Sequence, residues 1–136
     1  MLVIQVFKIG NMTSTEKPFS NLSEELILQS TEYFSIVEDK YPVSPNHLLI
    51  ISNRPVADYF ELNKAETEDL INAIDLAKSH IESISKPDGY NLGMNCGAAA
   101  GQTIFHFHLH VIPRFIGDME NPRGGVRHCV EGKGDY

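Results

Sequence analysis

Apolar residues recur along this chain at two different spacings, which predict a sheet of short strands and one long helix. Asn63 is the predicted N-cap of the helix, and Glu66 stands at its third position, as a capping box requires. The predicted apolar stripe of this helix consists of Leu70, Ile71, Ile74, Ala77, Ile81 and Ile84. The predicted strands cover 2–7, 26–30, 33–38, 47–52, 90–95 and 104–112. Short strands with a single helix are typical of an α+β domain that contains an antiparallel sheet.

The length of the chain predicts a single domain over 1–136, because 136 residues bury one hydrophobic core but are too few for two ordinary domains. Glycine and proline become frequent after Pro113, so we expect 116–136 to be a short, irregular C-terminal extension. The two cysteines, Cys96 and Cys129, are too few for a disulfide framework and are predicted to be free thiols.

Charge and hydropathy exclude several classes of protein. The formal net charge of −7 argues against a general nucleic-acid-binding protein, which needs a basic surface. No stretch of the chain approaches the roughly 20 apolar residues of a membrane span. The apolar run at the start of the chain is too short for the core of a signal peptide, and no basic region precedes it. We therefore expect a cytoplasmic protein that has neither a nucleic acid nor a membrane as its partner.

Three of the six histidines, His106, His108 and His110, alternate with apolar residues in the last predicted strand. Alternate side chains of a strand share a face, so the three imidazoles are predicted to point into one cleft. The intervening Phe105, Phe107, Leu109 and Val111 are predicted to face the core. A solvated strand face does not require histidine at every polar position, so this pattern indicates chemistry.

Metal binding and catalysis are the two chemical interpretations of these histidines. His106 and His110 are roughly 13 Å apart along an extended strand. One zinc ion, with ligand distances of roughly 2.0–2.1 Å, can use two neighbouring histidines but hardly all three. His47 is the one evident outside ligand. Catalysis makes use of all three residues, with His108 as a nucleophile and its neighbours as proton donors or phosphate ligands.

The motif His106-Phe107-His108-Leu109-His110-Val111-Ile112 resembles the signature of the histidine triad superfamily of nucleotide hydrolases and transferases. The resemblance continues from Asp39 through Pro42 to His47, in Asn91 to Gly101, and in the flanking residues from Gly101 to Arg114. Asn46 stands where the family usually has glycine, and asparagine tolerates the left-handed conformation that such a turn needs. The resemblance implies a five-stranded antiparallel sheet with one long helix, and a homodimer.

The resemblance also implies a role for individual residues. His108 corresponds to the nucleophile that forms a covalent nucleotidyl intermediate, and His106, His110 and His47 correspond to its supporting histidines. Asp39 matches the residue that binds the ribose hydroxyls, and apolar residues near Ile36 match the wall for the base. The positions around the α-phosphate correspond to Asn95, Gln102 and Thr103. The zinc ligands that some members carry are missing here, so no metal site is expected, and the chemistry requires no cofactor.

The C-terminal extension resembles that of microbial members described as diadenosine tetraphosphate hydrolases. Arg123 and Arg127 are candidates for contacts with a polyphosphate chain, and a surface tail that packs on the dimer partner is the alternative. The predicted activity is hydrolysis at the α-phosphorus of a nucleoside 5′-phosphate derivative, foremost a dinucleoside polyphosphate, with or without a divalent cation on the substrate phosphates. A phosphoramidate or adenylate hydrolase, and a non-catalytic nucleotide- or metal-binding module, are the alternatives.

Overall fold

An antiparallel sheet of five strands forms the centre of the computed structural model, which describes Phe19 and residues 21–136. In chain order the strands are β1 (Ile27–Ser30), β2 (Phe34–Glu38), β3 (Leu48–Ser52), β4 (Gly89–Gly93) and β5 (His108–Arg114). Their order across the sheet is β1-β2-β3-β5-β4, with β1 and β4 at the edges. This architecture confirms the predicted α+β class and the five-stranded sheet. The predicted strand over 2–7 lies outside the described residues.

The long helix, α1 (Lys64–Glu82), begins as the capping box predicts. The Asn63 side chain accepts the Glu66 N–H, and the Glu66 carboxylate accepts the Asn63 N–H, both at 2.9 Å. The predicted apolar stripe is partly wrong, because Ile71 and Ile84 are 65% and 59% exposed. Ile71 lies about 100° around the helix from its neighbour Leu70, and Ile84 follows the end of α1. The buried apolar residues of α1 are Leu70, Ala73, Ala77 and Ile81.

Both faces of the sheet carry apolar residues, which sort by strand alternation. The face covered by α1 contributes Phe34, Ile36, Leu48, Ile50, Leu109 and Val111 to the main core. The opposite face carries a smaller cluster, Phe19, Val37, Leu49 and Ile51. In the register of the sheet, Ile51 lies opposite His108 and Leu49 lies opposite His110, so both histidines belong to this second face. No helix among the described residues has the length and apolar character needed to cross a membrane.

The histidine segment enters the sheet later than predicted, since β5 begins at His108. Before that residue the backbone bonds irregularly: Phe107 donates its N–H to the Val56 carbonyl oxygen, and its own carbonyl accepts the Ser52 N–H. Regular alternation therefore fails at Phe105, which is 55% exposed rather than buried. Phe107, Leu109 and Val111 are buried as predicted. The turn before β3 confirms the expectation for Asn46, whose φ is 65°.

Candidate active site

A cleft of about 690 Å³ lies on the sheet face opposite α1. We call it the histidine cleft. It brings together residues from β2, β3, β5 and the loops beside them, which are far apart in the sequence. The predicted site residues that line it are Asp39, His47, Asn95, Gln102, Thr103, His108 and His110. His106 and Ile36 do not line it.

His108 is held in one tautomer by the backbone. Its Nδ1 lies 2.8 Å from the His106 carbonyl oxygen, which can only accept, so Nδ1 carries the proton. The lone pair of a neutral ring is then on Nε2, which makes no hydrogen bond to any residue that the structure describes. Burial lowers the pKa of His108, so the imidazole stays neutral at neutral pH. The arrangement presents an unprotonated, partly buried nitrogen at the cleft.

His47 and His110 form a second ordered pair, although 63 positions separate them in the chain. The Val43 N–H donates to Nδ1 of His47 at 3.1 Å, so a neutral His47 ring carries its proton on Nε2. That Nε2 donates to Nδ1 of His110 at 2.9 Å. His110 therefore presents its own proton on Nε2. The ring centroids of His110 and His108 are 5.4 Å apart.

Asp39 supplies the negative charge of this group. One carboxylate oxygen accepts the Tyr41 N–H at 2.8 Å, and the other lies 3.3 Å from Nε2 of His47 and 3.6 Å from Nδ1 of His110. Burial works to raise the pKa of Asp39, but the neighbouring His110 ring and the hydrogen bond from the Tyr41 N–H outweigh it, and the pKa is lowered. Burial lowers the pKa of His47 despite the opposing effect of Asp39. The site thus holds a carboxylate beside the His47 and His110 rings.

Asp39, His47 and His110 are also close enough together to be tested as a metal site, since their nearest ligand atoms are 2.9–3.6 Å apart. The separations suit a tetrahedral ion with bonds of about 2.0–2.1 Å. The donor chemistry does not suit it, because a metal on Nε2 of His47 needs the ring proton on Nδ1. Nδ1 already accepts the Val43 N–H. The protonation pattern of the group thus favours a hydrogen-bonded relay over a resident metal.

His106 is placed differently from the other two histidines of the motif, which corrects the interpretation that all three share a face. It precedes β5, is completely buried, and donates from Nε2 to the Ser52 carbonyl oxygen at 2.7 Å. Its contribution to the cleft is its backbone carbonyl, which orients His108. The Phe19 ring meets both imidazoles edge-on, at 5.6 Å from His106 and 5.2 Å from His108.

The apolar wall of the cleft differs from the expectation for Ile36, which is completely buried under α1 in the main core. Its neighbour Val37 points to the other face and lines the cleft together with Leu49 and Phe19. Strand alternation within β2 was the signal that separates Ile36 from Val37. Phe19 was missed, and no local sequence pattern points to it.

The three predicted phosphate ligands are not equivalent. Gln102 is buried, and its amide is fully engaged: Oε1 accepts the Gly97 N–H, while Nε2 donates to the carbonyl oxygens of Ala57 and Ile104. It holds the loop between β4 and β5 in place. Asn95 and Thr103 are exposed at the cleft, and their side chains make no hydrogen bond to the described residues. Their amide and hydroxyl groups are open to a ligand.

The C-terminal extension folds back on itself. Arg123 and Arg127 lie over the ring of Tyr136, at 4.5 and 4.8 Å from its centroid, and neither lines the histidine cleft. Gly124 has a φ of 93°, and a Cβ there would collide with the Gly134 carbonyl oxygen. The glycines thus allow the extension to pack tightly against itself.

A histidine oriented by the backbone, a second histidine pair and a carboxylate are groups that nucleophilic chemistry can use. The model of the HIT domain family matches residues 21–117, and the chain therefore belongs to the HIT domain family.

The chain is similar to proteins that carry more specific names. An AP-4-A phosphorylase of Mycobacterium tuberculosis is 33% identical over 105 residues, which cover 76% of this chain and 54% of the relative. The chain thus spans about half the length of that relative. A bis(5′-adenosyl)-triphosphatase of Dictyostelium discoideum is 34% identical over 104 residues, covering 76% of this chain and 69% of the relative.

Among solved structures, a hypothetical histidine triad nucleotide-binding protein of Sulfolobus tokodaii superposes with a TM-score of 0.64. It is 36% identical, and the match covers 68% of this chain and 62% of that one.

Proposed function

We propose that this protein hydrolyses a nucleoside 5′-phosphate derivative at its α-phosphorus, with Nε2 of His108 as the nucleophile. The observation that carries this proposal is the hydrogen bond from Nδ1 of His108 to the His106 carbonyl oxygen, which leaves the lone pair on Nε2. Fixing the tautomer of a histidine through its other nitrogen is how a weak nucleophile becomes directed at a substrate.

In the first step, Nε2 of His108 attacks the α-phosphorus, and the bond from phosphorus to the leaving-group oxygen or nitrogen breaks with its electron pair. The positive charge that develops on the imidazole is stabilised by the His106 carbonyl oxygen. The Nε2 proton of His110 is available to the departing group or to a phosphate oxygen. In the second step, water attacks phosphorus and gives up a proton to the same Nε2 of His110 or to solvent, the phosphorus–nitrogen bond breaks, and His108 regains its lone pair.

The walls of the cleft suggest how the nucleotide lies. The base packs between Val37, Leu49 and Phe19, which replace Ile36 in the proposed role. Asp39 is the proposed partner of the ribose hydroxyls, and its lowered pKa keeps it an acceptor. Asn95 and Thr103 are the proposed phosphate ligands, and Gln102 positions the loop that carries them.

Dinucleoside polyphosphates are the proposed substrates, because relatives from two distant organisms are named for acting on them. The name of the mycobacterial relative supports a second candidate, phosphorolysis, in which inorganic phosphate replaces water in the second step. A phosphoramidate or an adenylate presents the same α-phosphorus and is the alternative substrate. A divalent cation on the substrate phosphates is compatible with either reaction, which needs no other cofactor.

The deciding experiment incubates the pure protein with diadenosine tetraphosphate or adenosine 5′-phosphoramidate, with and without inorganic phosphate and with and without chelator, and chromatographs the products. AMP and ATP identify hydrolysis of diadenosine tetraphosphate, whereas ADP and ATP identify phosphorolysis. Equal turnover by wild type and His108→Ala would overturn the nucleophile. No turnover by wild type under any condition would favour the alternative of a non-catalytic binding module.

The homodimer implied by the resemblance remains a prediction. The resemblance implies an interface formed by the long helix and one strand. Here α1 exposes Ile71, and the edge strand β4 exposes Leu92. Light scattering during gel filtration measures the mass of the particle. A mass equal to one chain at micromolar concentration would contradict the dimer.

A further inference from the structure

A second cleft, of about 980 Å³, opens beside the histidine cleft and is covered by the C-terminal extension. We call it the tail cleft. Its floor is the cleft-side face of β4 and β5, and its roof is formed by the extension, including Pro122, Val126 and His128. The short helix Gly125–Cys129 of the extension contacts β4 directly. Its size is within the range of sites that hold a small organic ligand.

The two clefts are continuous along β5. His108 lines the histidine cleft alone, His110 lines both, and Ile112 and Arg114 line the tail cleft alone. Successive residues on one face of a strand are roughly 6.6 Å apart. A ligand whose reacting phosphorus is at His108 is therefore led past His110 and into the tail cleft as it extends along the strand.

The loop between β4 and β5 divides in the same way. Thr103 belongs to the histidine cleft, Asn95 and Gly101 border both, and Ala98–Ala100 border the tail cleft. His47 also faces both spaces. The boundary between the clefts thus carries hydrogen-bonding groups suited to phosphate, and it coincides with the place where the leaving group departs from His108.

The lining of the tail cleft fits an anionic chain that ends in an apolar ring. None of its residues in the described part of the chain is Asp or Glu. Arg114 lines it and is ordered by Asn91 at 2.7 Å and by an ion pair with Asp118 at 2.6–2.8 Å, so its charge is shared between that carboxylate and the cleft. Apolar side chains of Ile112, Met119 and Val126 supply a surface for a base.

We propose that the tail cleft binds the leaving half of the substrate, namely the second nucleoside and its adjoining phosphates in a dinucleoside polyphosphate. This inference rests on the proposed function, because it takes His108 as the point of attack. The C-terminal extension then determines which leaving group is accepted, because Val126 and the adjacent backbone line the tail cleft. Arg123 and Arg127 act indirectly, by holding Tyr136 and the fold of the extension.

The test compares substrates that share one AMP half and differ in the leaving group. Val126 is 66% exposed and lines the tail cleft, so Val126→Asp places a negative charge where the proposed second half binds. Ile116→Asp is the matched control, because Ile116 is 89% exposed and lines neither cleft. Val126→Asp should lower kcat/KM for diadenosine tetraphosphate at least about 10-fold through like-charge repulsion. Turnover of adenosine 5′-phosphoramidate should change less than about twofold.

A binding measurement separates failure of this inference from failure of the proposed function. Calorimetry with AMP and with a methylene-bridged, non-hydrolysable diadenosine tetraphosphate needs no turnover. Wild type and Ile116→Asp should bind the dinucleotide more tightly than AMP, and Val126→Asp should lose that advantage. Equal affinities in wild type, or equal weakening of both ligands by Val126→Asp, would overturn the inference. A third outcome would also overturn the inference: Val126→Asp changes the mass of the particle but not the substrate preference. The tail cleft would then be a contact with a second copy of the chain.

Discussion

Two partly buried polar clusters lie on opposite sides of the sheet, and they differ in how completely their atoms are paired. At the start of α1, Arg54 donates to both oxygens of Glu66, at 2.7 and 3.2 Å, and Glu66 accepts the Asn63 N–H. In the histidine cleft, His47 donates to His110 and the Asp39 carboxylate lies beside both rings, but Nε2 of His108 has no partner among the described residues. Both clusters contain a carboxylate with a lowered pKa.

The difference shows that burial and shifted pKa values do not by themselves identify a reactive site. The pKa of Glu66 is lowered chiefly by the hydrogen bond from Arg54. The partners of this carboxylate stabilise the start of α1. His108 is equally well oriented on one nitrogen and open on the other. An accounting of donors and acceptors, atom by atom, separates a stabilising cluster from one able to do chemistry.

Removing Nε2 of His108, the nitrogen without a partner, should have the largest effect on turnover. We expect His108→Ala to lower kcat by on the order of 10⁴-fold or more, because the proposed covalent intermediate cannot form without the imidazole. AMP binding, measured by calorimetry, should change little. His80→Ala is the control, since His80 lies near the end of α1 and lines neither cleft. Retained turnover in His108→Ala would contradict the contrast drawn between the clusters.

Removing the charge but not the hydrogen bonding of Asp39 should have an intermediate effect. Asp39→Asn should lower kcat/KM roughly 10- to 100-fold, the worth of one charged hydrogen bond. In the pH profile of kcat/KM, the wild-type activity should be lost in acid below pH 6.5, because burial lowers the pKa of His108. The charge of Asp39 raises the pKa of His108 against the effect of burial, so Asp39→Asn should move the acid side of this profile to still lower pH. Glu38→Gln also removes a charge at the cleft and should leave the acid side of the profile unmoved. A change confined to KM would mean that Asp39 serves the ribose alone.

Breaking the cluster of Arg54, Asn63 and Glu66 should lower the stability of the protein and leave turnover unchanged. Glu66→Ala removes the partner of Arg54 and of the Asn63 N–H, and should cost about 2–3 kcal/mol of the free energy of unfolding. Because the pKa of Glu66 is lowered, wild type keeps this contribution above pH 4.5 and loses it as pH falls through the folded-state pKa. The difference between the two proteins, measured by urea unfolding, should therefore narrow in acid. Glu68→Ala, at an exposed position, is the control.

The smallest effect is expected at the helix cap itself. Asn63→Ala removes the side chain that accepts the Glu66 N–H, and should cost about 1 kcal/mol. Asn63→Ser keeps an acceptor and should recover most of the loss. Thermal unfolding followed by circular dichroism measures both variants. A loss of turnover at a temperature where Asn63→Ala is fully folded would show that the two clusters are coupled.

Local sequence patterns predicted the elements well where one element decides its own structure. The capping box at Asn63 depends on only four consecutive residues, and it is present as predicted. Alternation predicted the faces of His108 and His110 correctly, because β5 is regular from His108 onward. The same rule failed at His106 and Phe105, where bonds to Ser52 and Val56 draw the backbone out of the strand.

The sequence by itself determined the family and the class of fold, and it predicted the candidate site residues, because these depend on short motifs and local periodicity. Only the tertiary structure decided what those residues contact. It brought His47 to His110 and buried the amide of Gln102 in the loop. It also laid the C-terminal extension over β4. Each of these outcomes depends on strand register and packing between distant segments, which no local pattern encodes.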